Sequence, residues 1–207
     1  MDNIPLFDTT VLFIHGFAKT KDDWAIIQKH LGGPYNIHCI DINNTCYVRP
    51  VQDICQEIDD SMSTFHETKI IVVAHSYGAF YAIGLSRLNK FRYNKLLLIE
   101  PTLKTEEYQI YLTEKYAKTP NEIDKYKIEN FDTFPDYRDL TSNIIIIVHI
   151  NVKIREEHET VSKIERCNQL CNKNAKSLLC LHVNKGHMLH HTVPDKIIST
   201  LHICTYI

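Results

Sequence analysis

No run of apolar residues in this chain of 207 residues reaches membrane-spanning length; the most apolar one, IIIIVHI from Ile144, has the length of a buried strand. A basic patch is missing too. Lys and Arg are scattered and the net charge is -2, so the electrostatic footprint of a nucleic-acid-binding protein is absent. The N-terminal stretch MDNIPLFDTT lacks the basic-then-apolar order of a secretory signal, which makes a cytoplasmic location the expectation. Seven cysteines, an odd number at irregular positions, agree with a reducing compartment. No internal repeat, low-complexity tract or Gly/Ser linker divides the chain, and its length suits one domain over 1–207. Metal-site spacings are missing as well. Cys167 and Cys171 stand four apart, as buried thiols on one helix face would. His182, His187, His190 and His191 have no acid or cysteine partner at a spacing such as HExxH. Neither a metal nor a cofactor is expected.

What is present is an alternation of two periods. TVLFIH (10–15), YNIHCIDI (35–42), KIIVVAH (69–75), NKLLLIE (94–100), NIIIIVHI (143–150) and KSLLCLHV (176–183) read as strands. Most are continuously apolar, the pattern of strands covered on both faces. Between them run helical stripes. Val51, Ile54, Cys55, Ile58, Met62 and Phe65 form one, with Pro50 placed at a first helical position. Others run through Trp24, Ile27 and Leu31, through Val161, Ile164, Asn168 and Cys171, and through Ile197, Ile198 and Leu201. The fold class is therefore α/β: a mostly parallel sheet of about six strands with helices on both faces.

One interval breaks the rhythm. From about 102 to 142 the chain leaves the sheet for longer than a crossover needs, carrying Tyr108, Tyr111, Tyr116, Tyr126, Phe131, Phe134 and Tyr137. Tyr108, Tyr111, Leu112 and Tyr116 share a helix face, and the interval reads as a small helical lid.

The strand 69–75 ends in AHSYG. Ser76 occupies the turn between strand and helix, with Ala74 and Gly78 two positions either side to let the backbone double back. This strand–turn–helix with a small-x-Ser-x-Gly pentad resembles the nucleophile elbow of the α/β-hydrolase superfamily, with Ala in place of the first glycine. HGFAKTKDDW (15–24) resembles the loop with which cofactor-free, small-lid members of that superfamily begin their first helix at a tryptophan. Gly16 there would let the backbone turn. NKGHMLHH (184–191) follows the last strand, where the superfamily carries its general base.

The resemblance implies roles. Ser76 would be the nucleophile, His187 the general base, and the backbone N–H groups of Phe17 and Tyr77 the oxyanion hole. His190 and His191 would lie on the first turn of the last helix or face solvent. For the acid, LLLIEP offers Glu100 before Pro101. The loop after the penultimate strand instead has Asn151, then Glu156, Glu157 and Glu159. Glu100 is the first candidate, Glu156 or Glu157 the second, and a site without a working acid the third. The implied activity is serine-hydrolase cleavage of a small-molecule carboxylic ester or thioester through an acyl-enzyme. Acyl transfer or C–C hydrolysis on the same site is an alternative, as is a hydrolase-fold binding protein with impaired catalysis.

Overall fold

A strand buried on both faces needs two cores, and the alternation of side chains along each strand supplies them. The computed structural model describes residues 9–33, 35–63, 69–93, 95–137, 140, 143–150, 178–183 and 187–204. Six strands are β1 (Thr9–Ile14), β2 (Tyr35–Ile40), β3 (Lys69–His75), β4 (Lys95–Ile99), β5 (Asn143–Ile150) and β6 (Leu178–Val183). They lie in the order β2-β1-β3-β4-β5-β6, and every neighbouring pair is parallel. The expected parallel sheet is thus observed, each strand within a residue or two of its expected bounds.

Leu12, Ile14, Ile70, Val72, Ala74, Leu96 and Leu98 point to one core, while Val11, Phe13, Ile71, Val73, Leu97 and Ile99 point to the other. The first core is covered by α2 (Val51–Ser61) and α3 (Gly78–Leu88). The second is covered by α1 (Ala25–His30) and by the final helix α7 (Pro194–Cys204). The stripe Val51, Ile54, Cys55, Ile58 and Met62 is buried as expected. Pro50 sits one position earlier than expected: it is the N-cap, with ψ 133°, because the residue that enters a helix is still extended. Phe65 and the stripe Val161 to Cys171 lie outside the described residues.

Between β4 and β5 the chain forms α4 (Glu106–Lys118), α5 (Glu122–Glu129) and a single turn of 3-10 helix, Phe131–Thr133. Thr105 and Asn121 cap the two helices by accepting from Tyr108 N–H and Asp124 N–H. Leu112, Phe131, Phe134 and Tyr137 are buried in the first core, with Tyr108 packed against it. Tyr111 is 56% exposed, with its ring stacked 6.2 Å from that of Tyr108.

Topology singles out one place on this sheet. β2 lies on one side of β1 and β3 on the other, so the helices that follow β1 and β3 go to opposite faces. The crevice between their carboxyl ends is a switch point, where ligands of open parallel sheets bind. The two chain segments pass so closely there that a Cβ on Gly78 would lie 2.7 Å from the His15 carbonyl oxygen and 2.8 Å from that of Ile14. Neither obstacle is a flexible side chain. Gly78→Ala is therefore expected to lower the unfolding free energy by about 1–3 kcal/mol, despite alanine's better helix propensity. Gly32→Ala, where the added carbon would meet nothing within 4 Å, is expected to stay within about 0.5 kcal/mol of the parent. Urea denaturation of both variants checks the contrast.

Candidate active site

From Ile70 to Ile83 every residue is buried except Ser76. The serine has φ 51°, a left-handed conformation that costs an L-residue about 1–3 kcal/mol. Backbone hydrogen bonds hold it there. Ser76 N–H donates to the Ile99 carbonyl at 3.0 Å, and the Ser76 carbonyl accepts from Thr102 N–H at 3.0 Å and Ala79 N–H at 3.1 Å. The elbow is thus stitched to the end of β4 on one side and opens α3 on the other. Tyr77 is the helix's N-cap, with helical φ and ψ of -59° and -27°.

The β1 loop closes on the serine. A Cβ on Gly16 would stand 2.9 Å from His75 Nδ1 and 3.2 Å from Ser76 Cβ, so glycine is needed for close approach. That corrects the expected reason, a backbone turn at Gly16. The left-handed residue of this loop is Ala18, with φ 55°. The Gly16 carbonyl accepts from His15 Nδ1–H at 2.8 Å and from Tyr47 O–H at 3.3 Å. His15 Nε2 accepts from Ile42 N–H at 2.8 Å, which fixes the Nδ1–H tautomer. Because a trans peptide holds C=O and N–H antiparallel, the Phe17 N–H points away from His15 and Tyr47.

Glu100 follows β4 directly across from Ser76, since His75 pairs with Ile99 in the register of β3 and β4. It is buried and has φ 49°, a second left-handed residue at the same edge. Its Oε2 lies 3.5 Å from His187 Nδ1, and the His187 side chain is half exposed. His187 is tied to the elbow by its backbone, whose carbonyl accepts from His75 Nε2–H at 3.0 Å. The rings of His75 and His187 pack with centroids 4.7 Å apart, tilted by 51°. Of the acids weighed in sequence, Glu100 is the one the described residues bring to His187. Asn151, Glu156, Glu157 and Glu159 lie outside them.

His190 is a correction. It is on neither the last helix nor the surface: it sits on the short helix α6 (Leu189–Thr192) and is fully buried, while His191 on the same turn is partly exposed. The His190 ring packs 4.5 Å from His75 and 4.7 Å from Trp24. Burial comes first in pushing His75 down to about 3, with His190 and His187 acting in the same sense. Burial likewise pushes His190 down to about 3, assisted by His191 and His187.

Among the described residues, Asp23, His190 and His191 bring possible ligand atoms within 4.8 Å of one another. Asp23 arrives from the 3-10 turn Lys21–Trp24, a neighbour no local spacing could reveal. His191 Nε2, however, lies 3.0 Å from the Asp23 carbonyl, which can only accept, so that nitrogen carries its proton and has no lone pair to offer. The trio packs α6 against the first turn.

No family model and no curated protein matches the sequence. Solved structures do match. A hydrolase from Oleispira antarctica superposes with TM-score 0.66 at 15% identity, covering 95% of this chain and 91% of the other. MenH from S. aureus gives 0.66 at 12% over 95% and 93%. A thermophilic esterase from Thermogutta terrifontis gives 0.65 at 13% over 94% and 88%. The chain has the α/β-hydrolase fold.

The two neutral histidines make stability depend on pH. Unfolded, each has the ordinary value of about 6.5, so between pH 6.5 and 3 the unfolded chain binds more protons than the folded one. Stability therefore falls as pH drops through that window, by ~1.4 kcal/mol per pH unit for each ring. His190, whose ring nitrogens have no hydrogen-bond partner among the described residues, contributes up to ~1.4 kcal/mol per pH unit of that slope, and His190→Leu is expected to make the slope shallower. Denaturant midpoints measured from pH 7 to pH 4 check it.

Proposed function

We propose that the chain is a serine hydrolase that cleaves a carboxylic ester or thioester of a small molecule. The observation that carries this is the strained, partly exposed Ser76 at the switch point, opposite Glu100, whose carboxylate faces His187, itself hydrogen-bonded to the His75 that precedes the serine. In this reading Ser76 Oγ attacks the carbonyl carbon while His187 accepts its proton. Glu100, buried and 3.5 Å from Nδ1, orients the imidazole and stabilises the imidazolium.

The developing oxyanion is bound by the N–H groups of Phe17 and Tyr77. Support comes from the Gly16 carbonyl, pinned by His15 and Tyr47 so that the Phe17 N–H faces the other way, and from Tyr77 opening α3 at its N-terminus. Each such donor is worth ~2.7–4 kcal/mol in the transition state. The imidazolium then protonates the leaving group, and water activated by His187 hydrolyses the acyl-enzyme. The neighbours with this fold include an esterase, a phospholipase A and a thioesterase by name, which agrees with acyl transfer to water. Neutral His75 fits the scheme, since it supports the His187 carbonyl without adding a charge beside the imidazolium.

A fluorophosphonate probe tests the nucleophile: labelling of the parent that is lost in Ser76→Ala supports the reading, and folded parent that stays unlabelled sinks it. Glu100→Gln is expected to reduce the rate of labelling by about 10²–10⁴-fold through the wrong tautomer and a destabilised imidazolium. A rate equal to the parent's rejects Glu100 as the acid.

A further inference from the structure

The inner face of α5 carries a lysine where packing alone has no use for a charge. Lys127 is only 3% exposed. Its Nζ lies 3.8 Å from the centre of the Phe17 ring, 4.3 Å from that of Tyr77 and 5.5 Å from that of Tyr47. Phe17 and Tyr77 are the residues whose N–H groups form the oxyanion hole in the reading above, so the ammonium packs against the rings of two residues of that site.

The ring faces attract it, but they do not neutralise it. The nearby acid, Asp124, favours the charged amine without pairing with it: Lys115 Nζ lies 2.7 Å from its Oδ2, Asn121 Nδ2 donates to the same oxygen at 2.8 Å, and its buried Oδ1 has no hydrogen-bond partner among the described residues. Lys115 is itself a cation 5.8 Å from the Phe17 ring. Two ammonium groups thus stand near the Phe17 ring, of which Lys115 is paired with Asp124, and no carboxylate of the described residues forms an ion pair with Lys127. Burial pushes the Lys127 amine down to about 8, opposed by Asp124 and assisted to a smaller degree by Lys115, which leaves it largely charged at neutral pH. A methionine would fill the same volume without desolvating a charge. An anion delivered by the substrate would supply the missing partner.

We propose that Lys127 is a specificity residue that pairs with a carboxylate on the acyl part of the substrate, so that the preferred substrates are monoesters or monothioesters of dicarboxylic acids. A carboxylate suits the site better than a phosphate, because one ammonium among three rings offers a single charge and few donors. The assignment rests on the serine-hydrolase reading for the place of the site, and its test does not require turnover.

Binding of monomethyl glutarate and of the uncharged methyl valerate to the Ser76→Ala protein is measured by titration calorimetry at pH 7. The charged ester is expected to bind at least tenfold more tightly. Lys127→Met in that background is expected to remove the preference while leaving the affinity for methyl valerate within twofold, and Lys127→Arg to retain part of it. Equal affinities, absence of binding by either ester, or a preference that survives in Lys127→Met overturns the proposal. Tighter binding of methyl 4-phosphonobutanoate than of the carboxylate overturns the carboxylate assignment. Should Lys127→Met fail to fold, the preference of the lysine-containing protein and the response of Lys127→Arg still decide. Loss of the serine-hydrolase reading is visible separately, as parent protein that fails to label with fluorophosphonate.

Discussion

The candidate site depends on how closely the ends of β1 and β3 approach each other. Gly78 lies against the carbonyls of Ile14 and His15, and Gly16 against His75 and Ser76, with no room for a side chain at either. Only at that separation can the chain reverse at Ser76 in a left-handed conformation and start α3 on one face while the β1 segment leaves for the other. The hydrogen bonds from Ser76 N–H to Ile99 and from Thr102 N–H to Ser76 offset the strain and bring Glu100 into line across the sheet. Strain at Ser76 is thus a consequence of one packing constraint between two strand ends, and a second left-handed residue, Glu100, stands at the end of the neighbouring strand.

Charge is distributed around that constraint in a definite order. On one side stand Glu100 and His187, and behind them a column of buried rings, His75 and His190, held neutral by desolvation. On the other side, over Phe17 and Tyr77, stands the cation of Lys127 carried by α5. Glu100 thus places an anion near His187 Nδ1, and Lys127 places a cation against the rings of Phe17 and Tyr77. Burial enlarges both effects, because water is not there to screen them.

Much of this was legible in sequence because it is local. The six strands showed as apolar runs, and the serine turn showed because a strand ends in AHSYG at the place where an amphipathic pattern begins. Pro50 was off by one position, since composition does not distinguish a cap from a first turn. The reason for Gly16 was misread: its constraint comes from His75 and Ser76, about sixty residues along the chain, and not from its own backbone angle. His190 was misplaced for a related cause. Nothing in GHMLHH says that Trp24, Asp23 and His75 will enclose one of its histidines and leave the next partly open. The one clue to Lys127 was its position four residues after Ile123 and four before Phe131, on the inward edge of α5, which charge alone argued against.

The sequence by itself determined the periodicities, hence the parallel sheet with two cores, and the small-residue turn that carries Ser76, because both follow from residues adjacent in the chain. Only the tertiary structure decided which acid faces His187, which histidines lose their charge and what surrounds Lys127. Those depend on distances between residues remote in sequence and on how far each is removed from water, and neither quantity exists until the strands have taken their order in the sheet.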